Sequence, residues 1–227
     1  MATNTLSASF EGQLEKACHT LSLVPTKQQQ ERLLEYLSQL LKWNKTYNLT
    51  AIRDPEQALV QHIFDSLAII KPLNNFFQQK ELEKRMVLDV GSGAGLPGVI
   101  IATMIPDTLV TCVDSVEKKM TFVRHVSGIL GLENLKALHQ RVELIQDYKF
   151  EVVTSRAFAT LQDFAALAGE CVEKNGILLA MKGKIPHDEI AALEEEADWY
   201  VEGIETLKVP QLSAQRCLVW MKQKGTQ

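Results

Sequence analysis

Asp89-Val90-Gly91-Ser92-Gly93-Ala94-Gly95-Leu96-Pro97-Gly98 is the stretch on which the reading of this chain turns. Met86-Val87-Leu88-Asp89-Val90 just before it is a short apolar run, predicted as a buried strand. Residues 97–105 after it read as a helix, ended by Pro106. Glycines between a strand and a helix let the backbone approach a ligand and take left-handed turns. Gly93 to Gly98 satisfies the dinucleotide pattern G-x-G-x-x-G literally. Taken alone, the pattern is a weak signal, and a glycine-rich turn of purely structural meaning is the lesser alternative given the strand before it and the helix after it.

Three features separate the possible ligands. Asp89 lies two residues before the extra glycine, Gly91. A carboxylate at that strand end repels a pyrophosphate but suits a ligand carrying an ammonium and a sulfonium. Asp114 closes the next predicted strand, where an acid can accept both ribose hydroxyls; NAD sites use such an acid too, so it does not discriminate. The chain also offers one mononucleotide-binding half and no second for a nicotinamide. Together these favour S-adenosylmethionine, with Asp89, Gly91, Gly93, Gly95 and Asp114 as cofactor residues. An NAD-dependent oxidoreductase and a non-catalytic RNA-binding module stay open as alternatives.

Working outward, the grammar changes near residue 80. Before it the chain reads as helices: Thr26 and Gln29 stand in capping-box register ahead of Leu33, Leu34, Leu37, Leu40 and Leu41. Asp54-Pro55 opens a further helix, whose apolar stripe is expected to stop at Pro72. After residue 85, strands are predicted at 86–90, 109–113, 135–139, 150–154, 176–182, 202–209 and 216–222. A helix between the second and third is expected to be capped by Ser115 and closed by Gly131, and another opens at Thr160. Strand and helix in alternation predict an α/β fold with a seven-stranded, Rossmann-like sheet. The link 210–215 is too short for a crossover, so the last two strands should pair antiparallel. The expected domains are helical 1–80 and sheet-bearing 81–227.

Composition bounds the rest. Of 227 residues 46% are apolar and 23% charged, ordinary for a globular protein. No run approaches a membrane span and no apolar block opens the chain, so a cytoplasmic protein off the membrane is expected. Cys18, Cys112, Cys171 and Cys217 are scattered without a CxxC pair, which predicts buried thiols and no metal site. The formal charge of −4 excludes a uniformly basic coat; residues 1–85, with 10 Lys/Arg and 9 Asp/Glu, are the side more tolerant of a polyanion.

Several other residues carry candidate chemistry, each beside a plainer reading. Val142-Glu143 can hold an adenine ring by backbone bonds and apolar contact, or form an ordinary loop. Arg156 follows the fourth strand at the ligand-binding edge, where it can reach a cofactor carboxylate or an RNA phosphate, or make a surface ion pair. Lys182 and Lys184 can meet phosphate or be solvated. Trp43-Asn44-Lys45-Thr46-Tyr47-Asn48-Leu49-Thr50, with Lys42 and Arg53 flanking it, suits an unstacked base and its backbone. In its plainer form it is an interhelical turn with Trp43 in the core. His62 and Asp65 share one helical face, as a substrate pair or a structural one.

In these motifs the chain resembles the RsmG (GidB) family of bacterial small-subunit rRNA methyltransferases. The resemblance rests on Trp43-Asn44 with Asn48-Leu49-Thr50, and on His62 with Asp65-Ser66-Leu67. It rests further on Asp89 to Gly98, on Ser155-Arg156-Ala157, on Lys182-Gly183, and on Arg216-x-Leu-Val, spread in order along nearly the whole chain. It implies a seven-stranded S-adenosylmethionine-dependent methyltransferase domain behind a helical N-terminal domain. It also implies methyl transfer to N7 of a guanine in the 530 loop of 16S rRNA. By the family's pattern the cofactor lies around Gly91, Leu96, Val142-Glu143 and Arg156. Leu96 stands where many relatives have phenylalanine. The implied partner is 16S rRNA or the small ribosomal subunit, and Lys42, Lys45, Asn48, Arg53, Arg156 and Lys182 are its candidate contacts. A monomer without metal is expected.

Overall fold

The computed structural model describes residues 2–80, 85–146 and 148–225, with side chains from Ser9 onward. Helix α1 (Ala2–Thr20) leads into α2 (Lys27–Tyr47), where Thr26 and Gln29 form the reciprocal capping box. Asn48 ends α2 in the left-handed conformation, at φ 49°. Next come α3 (Pro55–Ala58), a wide π-type turn (Leu59–Phe64), α4 (Asp65–Leu67) and α5 (Ile70–Gln79). Pro72 does not stop this series. It sits in the first turn of α5, where the missing N–H has no intrahelical acceptor to lose. The expected domain boundary at 80/81 borders residues 81–84, which lie outside the described residues.

Seven strands follow: β1 (Met86–Val90), β2 (Leu109–Asp114), β3 (Leu135–His139), β4 (Phe150–Ser155), β5 (Val172–Lys182), β6 (Trp199–Leu207) and β7 (Arg216–Gln223). They form one sheet in the order β3-β2-β1-β4-β5-β7-β6. β1 to β5 run parallel, and β7 slots between β5 and β6, antiparallel to both. The strand order reverses at β1 and β4, so the crevice beyond their C-terminal ends is the topological switch point, where open sheets of this kind bind ligands.

Alternation along each strand divides the core into two. Val87, Val110, Val152, Leu179 and Leu218 face the N-terminal helices together with α6 (Gly98–Met104) and α7 (Glu117–Leu130). Leu88, Val113, Val153, Leu178 and Val219 face α8 (Leu161–Ala168) and α9 (His187–Glu196). The N-terminal helices therefore share one continuous apolar core with the sheet. Two local expectations change. Ser115 does not cap α7: Asp114 Oδ1 accepts the Val116 N–H at 2.9 Å and closes that turn. Helix α9 has no counterpart in the sequence reading.

Candidate functional site

The chain leaves β1 through Gly91, Gly93 and Gly95, all left-handed at φ 63°, 59° and 88°. A Cβ at Gly91 would sit 2.8 Å from Cβ of Ala157, so the loops after β1 and β4 touch there. A Cβ at Gly93 would meet nothing within 4 Å, which marks the open side of the loop. The loop is held from three directions. Asp114 Oδ2 accepts the Gly93 N–H at 3.0 Å, and Tyr36 of α2 donates its hydroxyl to the Ala94 carbonyl at 2.8 Å. Ser155 of β4 donates to the Val90 carbonyl at 2.7 Å. The N-terminal helices thus set the loop directly.

Asp89 lies fully buried beneath the loop. Its Oδ2 accepts the Gly98 N–H at 2.7 Å, while Oδ1 has no hydrogen-bond partner. Burial pushes this carboxyl up to about 7, against the opposing pull of the Gly98 N–H and the Arg156 guanidinium. His62 is shifted the other way, down to about 4, by burial and by Arg156. The signs are opposite in stability. A raised carboxyl keeps its proton in the folded chain, so its contribution falls as pH rises from about 4 to about 7. A depressed histidine makes a contribution that is complete above its ordinary 6.5 and is lost as pH falls to about 4. In the cofactor-free protein the two slopes oppose each other between pH 4 and 6.5. Asp89→Asn removes one, so its thermal midpoint should rise relative to wild type across that window. A difference between the two proteins that stays constant with pH would contradict this.

Asp65, expected beside His62 on one face, sits between two arginines. Arg156 Nη1 donates to its Oδ2 at 3.0 Å and Arg216 Nε to its Oδ1 at 2.7 Å. The carboxylate side chain is 6% exposed and the guanidinium side chains are 25% and 24% exposed. His62 Nε2 lies 3.0 Å from Thr50 Oγ1. Thr50 is placed in turn by Asn44, which accepts its N–H and donates to the Ile52 carbonyl. Asn44, Thr50 and His62 therefore form one polar chain from the end of α2, and Asp65, three residues on from His62, makes a separate one with Arg156 and Arg216 at the ends of β4 and β7.

Other expected site residues fall in different places. Leu96 is buried at the end of the glycine loop, and its peptide bond to Pro97 is cis. Val142 opens a short helical turn after β3 and is buried in the same cluster as Val90 and Val113; Glu143 is exposed beside it. Lys182 is not open to phosphate. It donates to the Ala159 carbonyl at 2.9 Å and pairs with Glu189 of α9 at 2.7 Å, and so fastens the loop after β4. Trp43 packs on Phe122 and His125 of α7, as the plainer reading had it. Lys42, Lys45 and Arg53 line a groove of about 1260 Å³ between α1 and α2 that includes no glycine-loop residue; Arg53 donates to Asn48 Oδ1 at 2.9 Å. Tyr36 and Ser155 as loop supports, and Glu189, were not singled out from the sequence. No local pattern marks them, because each acts through a partner outside its own helix or strand.

The residues at the switch point fit a compact cationic ligand with a ribose. The partnerless Oδ1 of Asp89 belongs to a buried carboxyl that burial holds near its titration point and that a neighbouring cation would ionise, and the loop is open above Gly93. Asp114 already takes the Gly93 and Val116 N–H groups, with Lys119 at 3.3 Å, so a ribose diol there would displace the lysine. Among the described residues no group of three or more His, Cys, Asp or Glu is placed to hold a metal, and no helix is long and apolar enough to cross a membrane.

Comparisons with known proteins agree in direction. Residues 29–219 match the GidB family, described as rRNA small subunit methyltransferase G. A ribosomal RNA small subunit methyltransferase G of Bordetella petrii is 53% identical over 220 residues, covering 96% of this chain and 86% of that protein. The protein of the same name from Bordetella avium is 53% identical over 227 residues and covers both chains fully. Among solved structures, a ribosomal protein L11 methylase from Lactobacillus delbrueckii subsp. bulgaricus aligns with a TM-score of 0.52 at 14% identity, covering 68% of this chain and 78% of that one. TrmN from Thermus thermophilus aligns with a TM-score of 0.51 at 14% identity, covering 73% and 53%. At such identities the structural likeness concerns the fold.

Proposed function

The chain belongs to the rRNA small subunit methyltransferase G family, and from that premise we propose that it transfers the methyl group of S-adenosylmethionine to N7 of a guanine in the 530 loop of 16S rRNA. The observation that carries the cofactor assignment is the open left-handed glycine loop at the switch point above the partnerless buried Asp89 Oδ1. In this reading Asp89 meets the ammonium group, the Gly91, Gly93 and Gly95 backbone passes close to the cofactor, and Asp114 takes the ribose. Leu96, Val142 and Glu143 line the adenine side, and Arg156 faces the cofactor carboxylate or the RNA. When bound, the sulfonium supplies an electrophilic methyl group.

Guanine N7 carries a free lone pair and no proton, so the chain needs to align the acceptor rather than deprotonate it. That agrees with His62, which is held neutral at physiological pH and engaged with Thr50. The methylated base is cationic, and an acidic lining near it favours the transition state over the ground state. N7 of a paired base lies in the deep groove of A-form RNA, so the target is an unpaired or splayed guanine. In this reading the helical segment 1–80 and the sheet-bearing segment 81–227 are two functional segments packed over one shared core.

The oxidoreductase alternative is disfavoured by the antiparallel β5-β7-β6 ending, which provides no second mononucleotide unit. Calorimetry distinguishes the two: S-adenosylmethionine should bind with measurable heat, and NAD should give none. Incubation with methyl-labelled cofactor and unmodified small subunits should then label 16S rRNA. Cofactor binding without labelling would leave a non-catalytic RNA-binding module and overturn the catalytic reading.

A further inference from the structure

The geometry points to an anion seat formed by Arg216 together with Arg156 on the shared carboxylate of Asp65, which takes a phosphate of the RNA strand flanking the target base. This rests on the proposed methyl transfer to rRNA. Two guanidiniums share one carboxylate, so the cluster carries one positive charge in excess. Lys182, nearby on the same edge, is already neutralised by Glu189. Each guanidinium has five N–H donors. One of Arg156, to Asp65, and two of Arg216, to Asp65 and the Gln215 carbonyl, have acceptors among the described residues. Both side chains remain about a quarter exposed, so the unused donors are not sealed in the core. On the same turns, His62 Nδ1 and Ser66 Oγ are buried with no partner. The cluster is thus a pre-oriented set of donors with a charge still to be balanced.

Position decides which anion it takes. Arg216 starts β7, and Cys217 after it pairs with Lys182 at the C-terminal edge of β5. In the order β1-β4-β5-β7 this places Arg216 three strands from the glycine loop, roughly 14 Å at the spacing of neighbouring strands. An anion on Arg216 is therefore held from a backbone position outside the cofactor crevice. Arg156 is adjacent to Ala157, which touches Gly91, and so joins that anion to the crevice. A planar guanidinium suits this double duty, because one edge can stay on Asp65 while the other receives a phosphate. In a chain with a formal charge of −4, a fixed local cation gives a polyanion an oriented landing point.

The test compares wild type with Arg216→Gln and Arg216→Lys, using the full chain and unmodified small subunits. In Arg216→Gln the slope of log affinity for subunits against log salt should become shallower by about 0.7 to 1, as for one lost phosphate contact. The KM for subunits should rise about tenfold, while kcat and the calorimetric affinity for S-adenosylmethionine stay at wild-type values. Arg216→Lys keeps the charge on Asp65 and covers the case in which the glutamine variant fails to fold. It should fold, bind cofactor normally and still raise the KM for subunits several-fold, because a point charge cannot serve two oxyanions as a fork does. A wild-type salt slope in a folded glutamine variant, a wild-type KM in the lysine variant, or a loss of cofactor affinity matching the loss for subunits would each overturn the seat. If wild type itself fails to methylate subunits, the functional reading fails first, and the two failures are thereby distinguished.

Discussion

Asp65→Ala should destabilise the folded chain by roughly 3 kcal/mol and abolish methyl transfer to subunits, the largest single effect expected outside the glycine loop. The cause is the uncompensated positive charge that remains, more than the missing hydrogen bonds. Arg156 and Arg216 are both three-quarters buried, and Asp65 is the carboxylate with which each is paired. Removing one partner of a buried ion pair costs about 3–5 kcal/mol, and the partial exposure of these arginines puts the cost at the lower end. The same carboxylate ties α4 to the ends of β4 and β7. Loss of that tie should also displace Arg156 from the crevice. Urea unfolding measures the first effect and subunit labelling the second. Asp65→Asn keeps the shape and one acceptor, so it should lie between wild type and alanine. An alanine variant within about 1 kcal/mol of wild type would mean that the arginines find other partners.

Gly98→Ala should be nearly as damaging, for a purely steric reason. The added Cβ would stand 2.4 Å from Cys112 Sγ and 2.9 Å from Asp89 Oδ2, behind the loop and deep in the core. The residue has ordinary helical backbone, so glycine is required here for close approach rather than for a left-handed turn. Overpacking a fixed core site costs typically about 1–3 kcal/mol. Here it also pushes on the carboxylate that holds the Gly98 N–H. Cofactor affinity should fall at least tenfold, and the thermal midpoint should drop with it. Cys112→Ala removes the nearer clash, so the double variant should recover part of both losses despite the small cavity it brings. Strictly additive losses in the double variant would show that the clash is relieved elsewhere.

Much of this was legible in the sequence where the signal is local. The β1 run, the glycine loop, the Thr26 capping box and the left-handed close of α7 at Gly131 depend on residues within a turn or two of one another. The antiparallel ending followed from the short link between the last two strands. Local reading misled where a neighbour took over the job. Pro72 reads as a stop, yet the chain had already turned at Ala68 and Ile69, and the proline serves the next helix. Ser115 reads as a cap, but the Asp114 side chain, one residue earlier, takes the Val116 N–H. Helix α9 was missed because only Leu193 of it is buried, and its acidic end reads as solvated chain.

The site was legible in its parts and not in its connections. Glycine spacing identified the loop, and Asp89 indicated the sign of its ligand. Nothing local links Asp65 to Arg156 and Arg216, which are 91 and 151 residues further along. Lys182 shows the same limit from the other side. Its place at the end of β5 is read correctly, but the glutamate that neutralises it comes from the helix that was missed. Lys42, Lys45 and Arg53 are exposed, yet they line a groove apart from the glycine loop.

The central claim is that the switch-point loop and the arginine pair beside it deliver a methyl group to N7 of one unpaired rRNA guanine. Position-resolved chemistry on the product tests it most directly. A guanine methylated at N7 is cationic and becomes a site of chain scission after borohydride reduction and aniline treatment. Small subunits lacking the modification, treated with this protein and S-adenosylmethionine, should give one new scission in the 530 loop of 16S rRNA. No scission should appear without cofactor. Methyl incorporation with no such scission, or scission at a guanine elsewhere, would contradict the account.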